Sequence, residues 1–406
     1  MKVICDRSAL MDAVNNVASV VPARTPTPAL SCVKLVARKV GGAGELTLSG
    51  TDAETSLHLT LTQVDVQQPG EVAIPADKLR AIVSAEDGEA TLTIETEGDQ
   101  CHIRGTNAHF RVFAYPSKDF PAMPDFAAAA GGTGPDPAKA VFSQTAGGLM
   151  EIVSRTVFAT ARETSRYAIN GVLLKRHGKK LEMVATDGRR LALSRTELTG
   201  ASAKGESVTC IVPTKALNIM MKLARDPEEN VRMAISDTRI FFAFEPTPPG
   251  GGGGGKDPDK LPAPRAVLSS VLVEGTFPPY EDVIPKDQDK KVTASRDELS
   301  SAVRKASVLT NEESRGVRMA FTSKDKKLKL SSRAPEMGES EISIDLAKYE
   351  GDDIEISFNP TFITDVLKVI PDQDVIVELK APNRPGLIRL MNNEFVYVVM
   401  PVNLPT

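Results

Sequence analysis

Chemistry at a protein site needs side chains that move protons, hold metals or cradle phosphates, and few here are spaced for it. Gly250 to Lys256 fits GxxxxGK, the pattern of a loop that wraps phosphates in backbone N–H groups. The next residue is Asp257, where magnesium needs a Ser or Thr hydroxyl, and proline-rich sequence follows where a helix should begin. An inserted linker is the better reading. The four histidines are His58, His102, His109 and His177. Cys101, His102 and His109 lack metal-ligand spacing, and on one continuous strand His102 and His109 would point to opposite faces. They read as surface or half-buried strand residues. No GxSxG elbow or HExxH helix occurs, and no carboxylate belongs to a paired motif. The expectation is no catalytic residue, no metal and no cofactor. The alternative from another class, a metal-dependent nuclease, needs convergent Asp and Glu ligands.

One stretch is more informative, Arg162 to Ser194. Tyr167 to Leu174, Leu181 to Ala185 and Arg190 to Leu193 read as three strands. Turns fall at His177-Gly178-Lys179 and Asp187-Gly188. Around the second turn small and apolar groups (Ile169, Thr186, Gly188, Leu191) gather beside Arg189 and Arg190. Taken alone, this is either an ordinary meander with a good turn or one wall of a surface pocket.

The elements that position this stretch follow from composition and repetition. With 406 residues, 25% charged and 41% apolar, the chain is long enough for about three globular domains of ~150 residues. No apolar run approaches the ~20 residues that span a bilayer, and MKVICDRSAL does not read as a signal peptide. Scattered Cys5, Cys32, Cys101 and Cys210, with no CxxC pair, read as reduced thiols in a cytoplasmic protein.

The spacing of Val3, Leu10 and Val14 recurs at Phe142, Leu149, Val153 and at Val292, Leu299, Val303. Each set predicts a short strand running into an amphipathic helix, with Ser8, Thr145 or Ser143, and Ser295 as candidate caps. A second helix follows in each repeat. Pro75, Leu79 and Ile82 match Pro213, Leu217, Met220 and Asn359, Ile363, Val366, with proline at two of the starts. Alternating segments predict strands at Glu45 to Ser49, Ser56 to Leu61, Thr91 to Glu95, His102 to Phe113, Val231 to Ile235 and Lys327 to Leu330. Asp119-Phe120-Pro121 parallels Thr276-Phe277-Pro278 near the repeat ends. The fold class is α+β: three repeated domains, each with two helices on antiparallel sheet, over residues 1–128, 138–287 and 290–406. The joints are a flexible stretch from Ala127 to Pro137 and the run after Pro285. A Gly/Pro-rich loop, 246–264, joins two strands of the second domain.

Charge separates along these elements. Windows 6–20, 76–84, 143–156, 214–225, 295–306 and 360–369 hold eleven basic and seven acidic side chains, a surplus of four positives on a chain of net charge −4. Lys78, Arg80, Lys215, Lys222, Arg225, Arg304 and Lys305 are among the basic ones. Basic helices on an acidic protein suit contact with phosphates without base reading. With no tryptophan and 5% aromatics, stacking on single strands is disfavoured.

Arg166-Tyr167-x-Ile169-Asn170-Gly171, Ala185-Thr186-Asp187-Gly188-x-Arg190-Leu191, Phe277-Pro278-x-Tyr280-x-x-Val283-Ile284-Pro285 and the closing Tyr397 to Pro401 together resemble the bacterial sliding-clamp family, the beta subunits of DNA polymerase III. The resemblance covers essentially the whole chain, in order. It implies a non-catalytic processivity factor, a head-to-tail homodimer closed as a ring around double-stranded DNA. The partners it implies are the replicative polymerase, the clamp loader and other proteins carrying a clamp-binding motif, with no membrane. It implies a peptide pocket of Ile169, Thr186, Gly188, Arg190, Leu191, Pro278, Val283, Asn359, Phe362, Val398, Val399, Met400, Pro401, Val402 and Leu404. It implies DNA contacts at Arg24 and Tyr167, and a ring seam placing Phe110 and Val112 against Val308 and Leu309. Ala168, Asp282, Ser314, Asn403 and the added Pro405-Thr406 depart from the family pattern and bear on peptide preference.

Overall fold

The computed structural model describes residues 1–161, 167–199, 204–205, 207–245, 263–310, 316–334, 337–390 and 394–403. Its seven described α-helices are α1 (Arg7–Ala18), α2 (Ala76–Ala85), α3 (Phe126–Gly131), α4 (Ala146–Ser154), α5 (Thr214–Leu223), α6 (Arg296–Ala306) and α7 (Pro360–Leu367). The i, i+3, i+4 spacing explains the repeated first helices. Helix α1 buries Leu10, Ala13, Val14 and Val17, and α6 buries Leu299, Ala302, Val303 and Ala306. Ser295 caps α6 by accepting from Glu298 N, and Thr145 Oγ1 accepts from Gly148 N in α4. Ser8 is not the cap of α1. Asp6 takes that role, its carboxylate accepting from Ala9 N at 2.8 Å and placing negative charge at the positive helix end. In the second helices, proline precedes α2 at its N-cap and opens α7 behind Asn359, whose Oδ1 accepts from Thr361 N.

Contacts gather the chain into two units, residues 1–150, 198–208 and 215–272 in one and 151–197, 209–214 and 273–406 in the other. A 13-stranded sheet lies in the first unit, and sheets of nine and four strands belong to the second. Each repeat supplies a three-stranded meander, then a second one. In the first repeat these are Cys32–Val40, Ala43–Thr51 and Thr55–Gln68, then Thr91–Glu97, Gln100–Arg104 and His109–Phe113. In the second they are Gly171–His177, Lys180–Thr186 and Arg190–Glu197, then Asn230–Ile235, Arg239–Phe244 and Ala266–Val271. In the third they are Val317–Thr322, Lys327–Ala334 and Gly338–Asp345, then Asp374–Leu379, Gly386–Arg389 and Phe395–Val399.

The last strand of a repeat joins the first meander of the repeat before it. Ala266–Val271 pairs antiparallel with Thr55–Gln68, Leu59 opposite Ala266. Phe395–Val399 pairs with Arg190–Glu197, Arg190 opposite Val399. His109–Phe113 and Gly338–Asp345 lie at sheet edges. Phe244 opposite Ala266 brings together the strands flanking the Gly/Pro-rich loop, most of which (246–262) lies outside the described residues.

Three further expectations differ from the structure. Tyr167 to Leu174 is not one strand; the strand begins at Gly171, because Ile169 N donates to Tyr167 O and folds the backbone. His102 to Phe113 splits into a hairpin, which sets His102 Nδ1 2.8 Å from His109 Nε2 instead of on opposite faces. The joint after Ala127 begins as α3. Asp125 caps it on Ala127 N and Ala128 N, Phe126 and Ala129 pack with Phe241 and Ala243, and Gly132 at φ 76 ends it. Among the described residues no helix is long and apolar enough to cross a membrane.

Cys5, Cys32 and Cys101 are buried and Cys210 is half-buried. Burial pushes Cys5 up to about 12, Cys101 to about 12, Cys210 to about 12 and Cys32 to about 11. At pH 8 the folded protein should therefore react only slowly with Ellman's reagent, and guanidinium should release all four thiols. Immediate native reaction of more than one thiol would contradict this burial.

Candidate functional site

The Asp187-Gly188 turn is built by its own side chains. Thr186 Oγ1 donates to Arg190 O at 2.7 Å and accepts from Gly188 N at 3.1 Å. Asp187 Oδ1 accepts from Arg189 N and Arg190 N, both at 3.0 Å. Gly188 has φ 84, the left-handed conformation that glycine adopts without a Cβ clash.

Arg190 ties this turn to the third repeat. Its Nε donates to Asp187 Oδ2 at 3.0 Å, one terminal nitrogen to Asp365 Oδ2 at 2.9 Å, and the other to Phe158 O at 2.8 Å. The guanidinium stands 4.5 Å from the Phe362 ring centre and 5.5 Å from that of Phe158. With its side chain 10% exposed, each of its three nitrogens donates to a partner inside the protein. Burial opposes its charge, but Asp365, Tyr397 and Asp187 outweigh burial and hold its pKa above the ordinary value. Arg190 is thus a positioning residue that sets the Phe362 ring, not a free cation for a ligand. Tyr397 OH, donating to Phe362 O at 2.9 Å, fixes the same turn of α7 from below.

The other wall is the chain's end. Met400 N donates to Arg189 O at 2.9 Å and Val402 N to Ser357 O at 2.8 Å, so Met400, Pro401 and Val402 run along the turn and toward Asn359. Met400 is 39% exposed, and Val283 is also exposed; Pro278, Phe362, Pro401 and Val402 are half-buried. Ile169, Thr186, Leu191 and Val398 are buried beneath them. Strand alternation divides the last two valines. Val398 joins Leu191, Leu387 and Tyr280, whereas Val399 faces the third repeat's interior with Phe358 and Ile363. Val399 is therefore a core residue and not a pocket contact. Leu404 lies outside the described residues.

The segment carrying Pro278 and Val283 is anchored by residues that sequence reading left aside. Lys175 Nζ donates to Tyr280 OH at 2.8 Å and to Glu281 Oε1 at 2.9 Å, and Tyr280 OH donates to Glu182 Oε1. Burial and the Glu182 carboxylate push the Tyr280 pKa up, which keeps its proton for that bond. Tyr280 was visible in the Phe277 to Pro285 motif. Asp365 and Phe158 had no signal beyond helical spacing from Phe362 in the first case.

The expected DNA-binding cations fall into two sets. Arg24, Arg80, Lys222, Arg225, Arg304 and Lys305 are exposed, and none has a side-chain hydrogen bond or ion pair among the described residues. Lys78 pairs with Asp77 at 3.2 Å. Lys215 is tied to Asp52 and to Val20 O, which makes it a structural tie. Within the observed helix bounds the positive surplus falls from four to two, since Arg155, Arg225, Lys368 and Asp6 lie just outside. Tyr167 is 42% exposed. At the expected seam Phe110, Val112 and Leu309 are half-buried and Val308 is 69% exposed. Among the described residues no three His, Cys, Asp or Glu side chains converge to hold a metal.

Removing the Arg190 side chain leaves Asp187 Oδ2 without this partner and unstacks Phe362. Arg190→Ala should cost roughly 3 kcal/mol, read as a lower urea midpoint, with Arg190→Lys in between because it keeps charge but loses the fork. An unchanged midpoint for Arg190→Ala would show that the clamp does not hold the turn.

Comparison with known proteins matches the chain to three family models: DNA polymerase III beta subunit N-terminal domain over residues 1–124, central domain over 145–247 and C-terminal domain over 281–403. It is 31% identical over 399 residues to the beta sliding clamp of Pseudomonas putida, 98% of each chain, and 28% identical over 405 residues to that of Vibrio cholerae. Among solved structures, the DNA polymerase III subunit beta of Pseudomonas aeruginosa superimposes with TM-score 0.82 at 31% identity, covering 100% of both chains. A second structure of that species' sliding clamp, bound to griselimycin, matches with TM-score 0.84 at 30% identity.

Proposed function

We infer the working of this chain from one premise: it belongs to the DNA polymerase III beta subunit family, the beta sliding clamps. Its work is not catalysis. It is a processivity factor that encircles duplex DNA as a dimeric ring and tethers the polymerase and other partners. No observation favours the nuclease alternative.

The observation that carries the ring is a pair of unsatisfied edges. The last strands of the second and third repeats each find a partner in the preceding repeat. The last strand of the first repeat, His109–Phe113, and the strand Gly338–Asp345 of the third are left at sheet edges. Backbone donors and acceptors at such edges invite pairing. A head-to-tail contact between two copies would repeat the internal joint at the seam and close the ring. Arg111 is exposed on one edge and Glu339 on the other, opposite charges that a head-to-tail contact could bring together. Phe113, 71% exposed, and Val308 supply apolar surface beside them.

The exposed cations Arg24, Arg80, Lys222, Arg225, Arg304 and Lys305, without side-chain partners among the described residues, are suited to phosphates through a hydrated, sequence-blind contact, and exposed Tyr167 belongs to the same reading. The groove between the Asp187-Gly188 turn and Met400 to Val402 suits a short, partly apolar peptide, with Phe362, Pro278, Val283 and Met400 as the accessible apolar surface. The domain limits 1–128, 138–287 and 290–406 and a cytoplasmic location, where a bacterial chromosome is replicated, belong to the same reading.

Retention on DNA tests the ring. Loaded protein should stay on nicked circular DNA at salt that strips ordinary phosphate contacts and should run off linear DNA. Equal loss from both sinks the sliding model. For the groove, deleting Met400 to Thr406 should abolish polymerase stimulation while sedimentation still reports a dimer; unimpaired stimulation would remove that assignment.

A further inference from the structure

The first repeat contains a recess that the second repeat fills. Aligning the turn Thr51-Asp52 with Thr186-Asp187 sets Lys34, Ser49 and His58, which lie side by side on three adjacent strands, against Leu173, Val184 and Leu193. In the second repeat these three are apolar and join Tyr280 in a cluster packed by Phe277 and Ile284. In the first, the matching segment Phe120 to Met123 borders a cavity of about 400 Å³ whose floor is polar. Three neighbouring apolar positions have become Lys, Ser and His together. Sealing a sheet face does not require that, and polar groups in a recess cost stability unless they find partners.

Their partners leave specific atoms for a ligand. Ser49 Oγ and His58 Nδ1 share a hydrogen bond of 2.8 Å, so Nε2 is the ring atom left to meet an occupant. Burial lowers the His58 pKa, with Asp125 opposing, so near neutral pH the ring acts through hydrogen bonding. Lys34 Nζ is 3.0 Å from Glu71, which cancels its charge, and also donates to Ser117 O. Arg38, at the exposed end of the same strand, has no hydrogen bond or ion pair among the described residues and offers its guanidinium fork to an anion. Four residues of strand separate Arg38 from Lys34, about 13 Å at ~3.3 Å per residue. A bare ion would not bridge that length. Between the two ends lie Val36, Phe120 and Met123, an apolar wall.

We propose that this recess binds a small elongated phosphomonoester of nucleoside-monophosphate size, its phosphate on the Arg38 fork and the polar edge of its planar body on Ser49 and His58. A volume near 400 Å³ falls in the range of small-molecule sites. The site is separate from the peptide groove and does not rest on the ring.

Calorimetric titration of the full chain with deoxyadenosine 5′-monophosphate tests it, with deoxyadenosine and inorganic phosphate as separate arms. The monophosphate should bind with a Kd below about 1 mM, and each fragment at least about tenfold more weakly. Arg38→Ala, a change at an exposed position, should weaken binding about tenfold or more. His58→Leu, which installs the second repeat's residue, should abolish it while retention on circular DNA is unchanged. Absence of saturable binding to about 10 mM would overturn the proposal, as would wild-type affinity in Arg38→Ala or inorganic phosphate binding as tightly as the nucleotide.

Discussion

The antiparallel pairing of Phe395–Val399 with Arg190–Glu197 is the constraint on which the candidate site depends. It brings Met400 beside a turn more than two hundred positions earlier. The turn is rigid because Thr186, Asp187 and Arg190 spend their polar groups on it and on one another. Arg190 then carries that rigidity into α7 through Asp365 and the Phe362 ring. Buried charge of this kind adds little net stability, since desolvation offsets attraction. What it gives is one orientation of Phe362 relative to Met400, and a groove for a short peptide needs that preorganisation.

The same joint occurs a second time with different chemistry. Thr51 Oγ1 donates to Thr55 O and accepts from Ala53 N, while Asp52 Oδ1 accepts from Glu54 N and Thr55 N. Ala53 even adopts the left-handed φ of 79 that Gly188 takes at 84. Yet the positions matching Arg190, Leu191, Phe362 and Met400 are Thr55, Ser56, Ala216 and Val271. They are small, and Lys215 on Asp52 together with Arg239 on Ala53 O and Glu54 O closes the turn. Backbone geometry is shared and side-chain volume is not, so the large side chains proposed to meet a peptide stand at one joint and a sealed contact at the other.

Much of this was legible in the sequence where signals were periodic. Helix faces in all three repeats, the Asp187-Gly188 turn and the cap at Ser295 follow from local spacing and turn chemistry. What was missed involves tertiary choice. Asp6 outcompeted Ser8 because the strand runs directly into α1, putting the carboxylate and not the hydroxyl at the cap. The stretch after Ala127 looked flexible by composition, but Phe126 found a core among Phe241 and Ala243. Val399 looked like its neighbour Val398, and only strand alternation against a known sheet face assigns it to the interior. Lys215 counted as a free cation until Asp52, far away in sequence, was placed beside it.

That last distinction bears on how weak contact can suffice. The cations without a side-chain partner among the described residues are exposed on helices and loops, where the attraction proposed for them would be loose and screened by salt. Tight phosphate clamps would oppose sliding, whereas a closed ring needs no tight contact to stay on DNA. Fixed geometry resides instead at the joints, where charges such as Lys215 and Arg190 are paired. Paired cations thus fix the joints within the chain, and the exposed cations without a side-chain partner among the described residues are the ones proposed to meet phosphates.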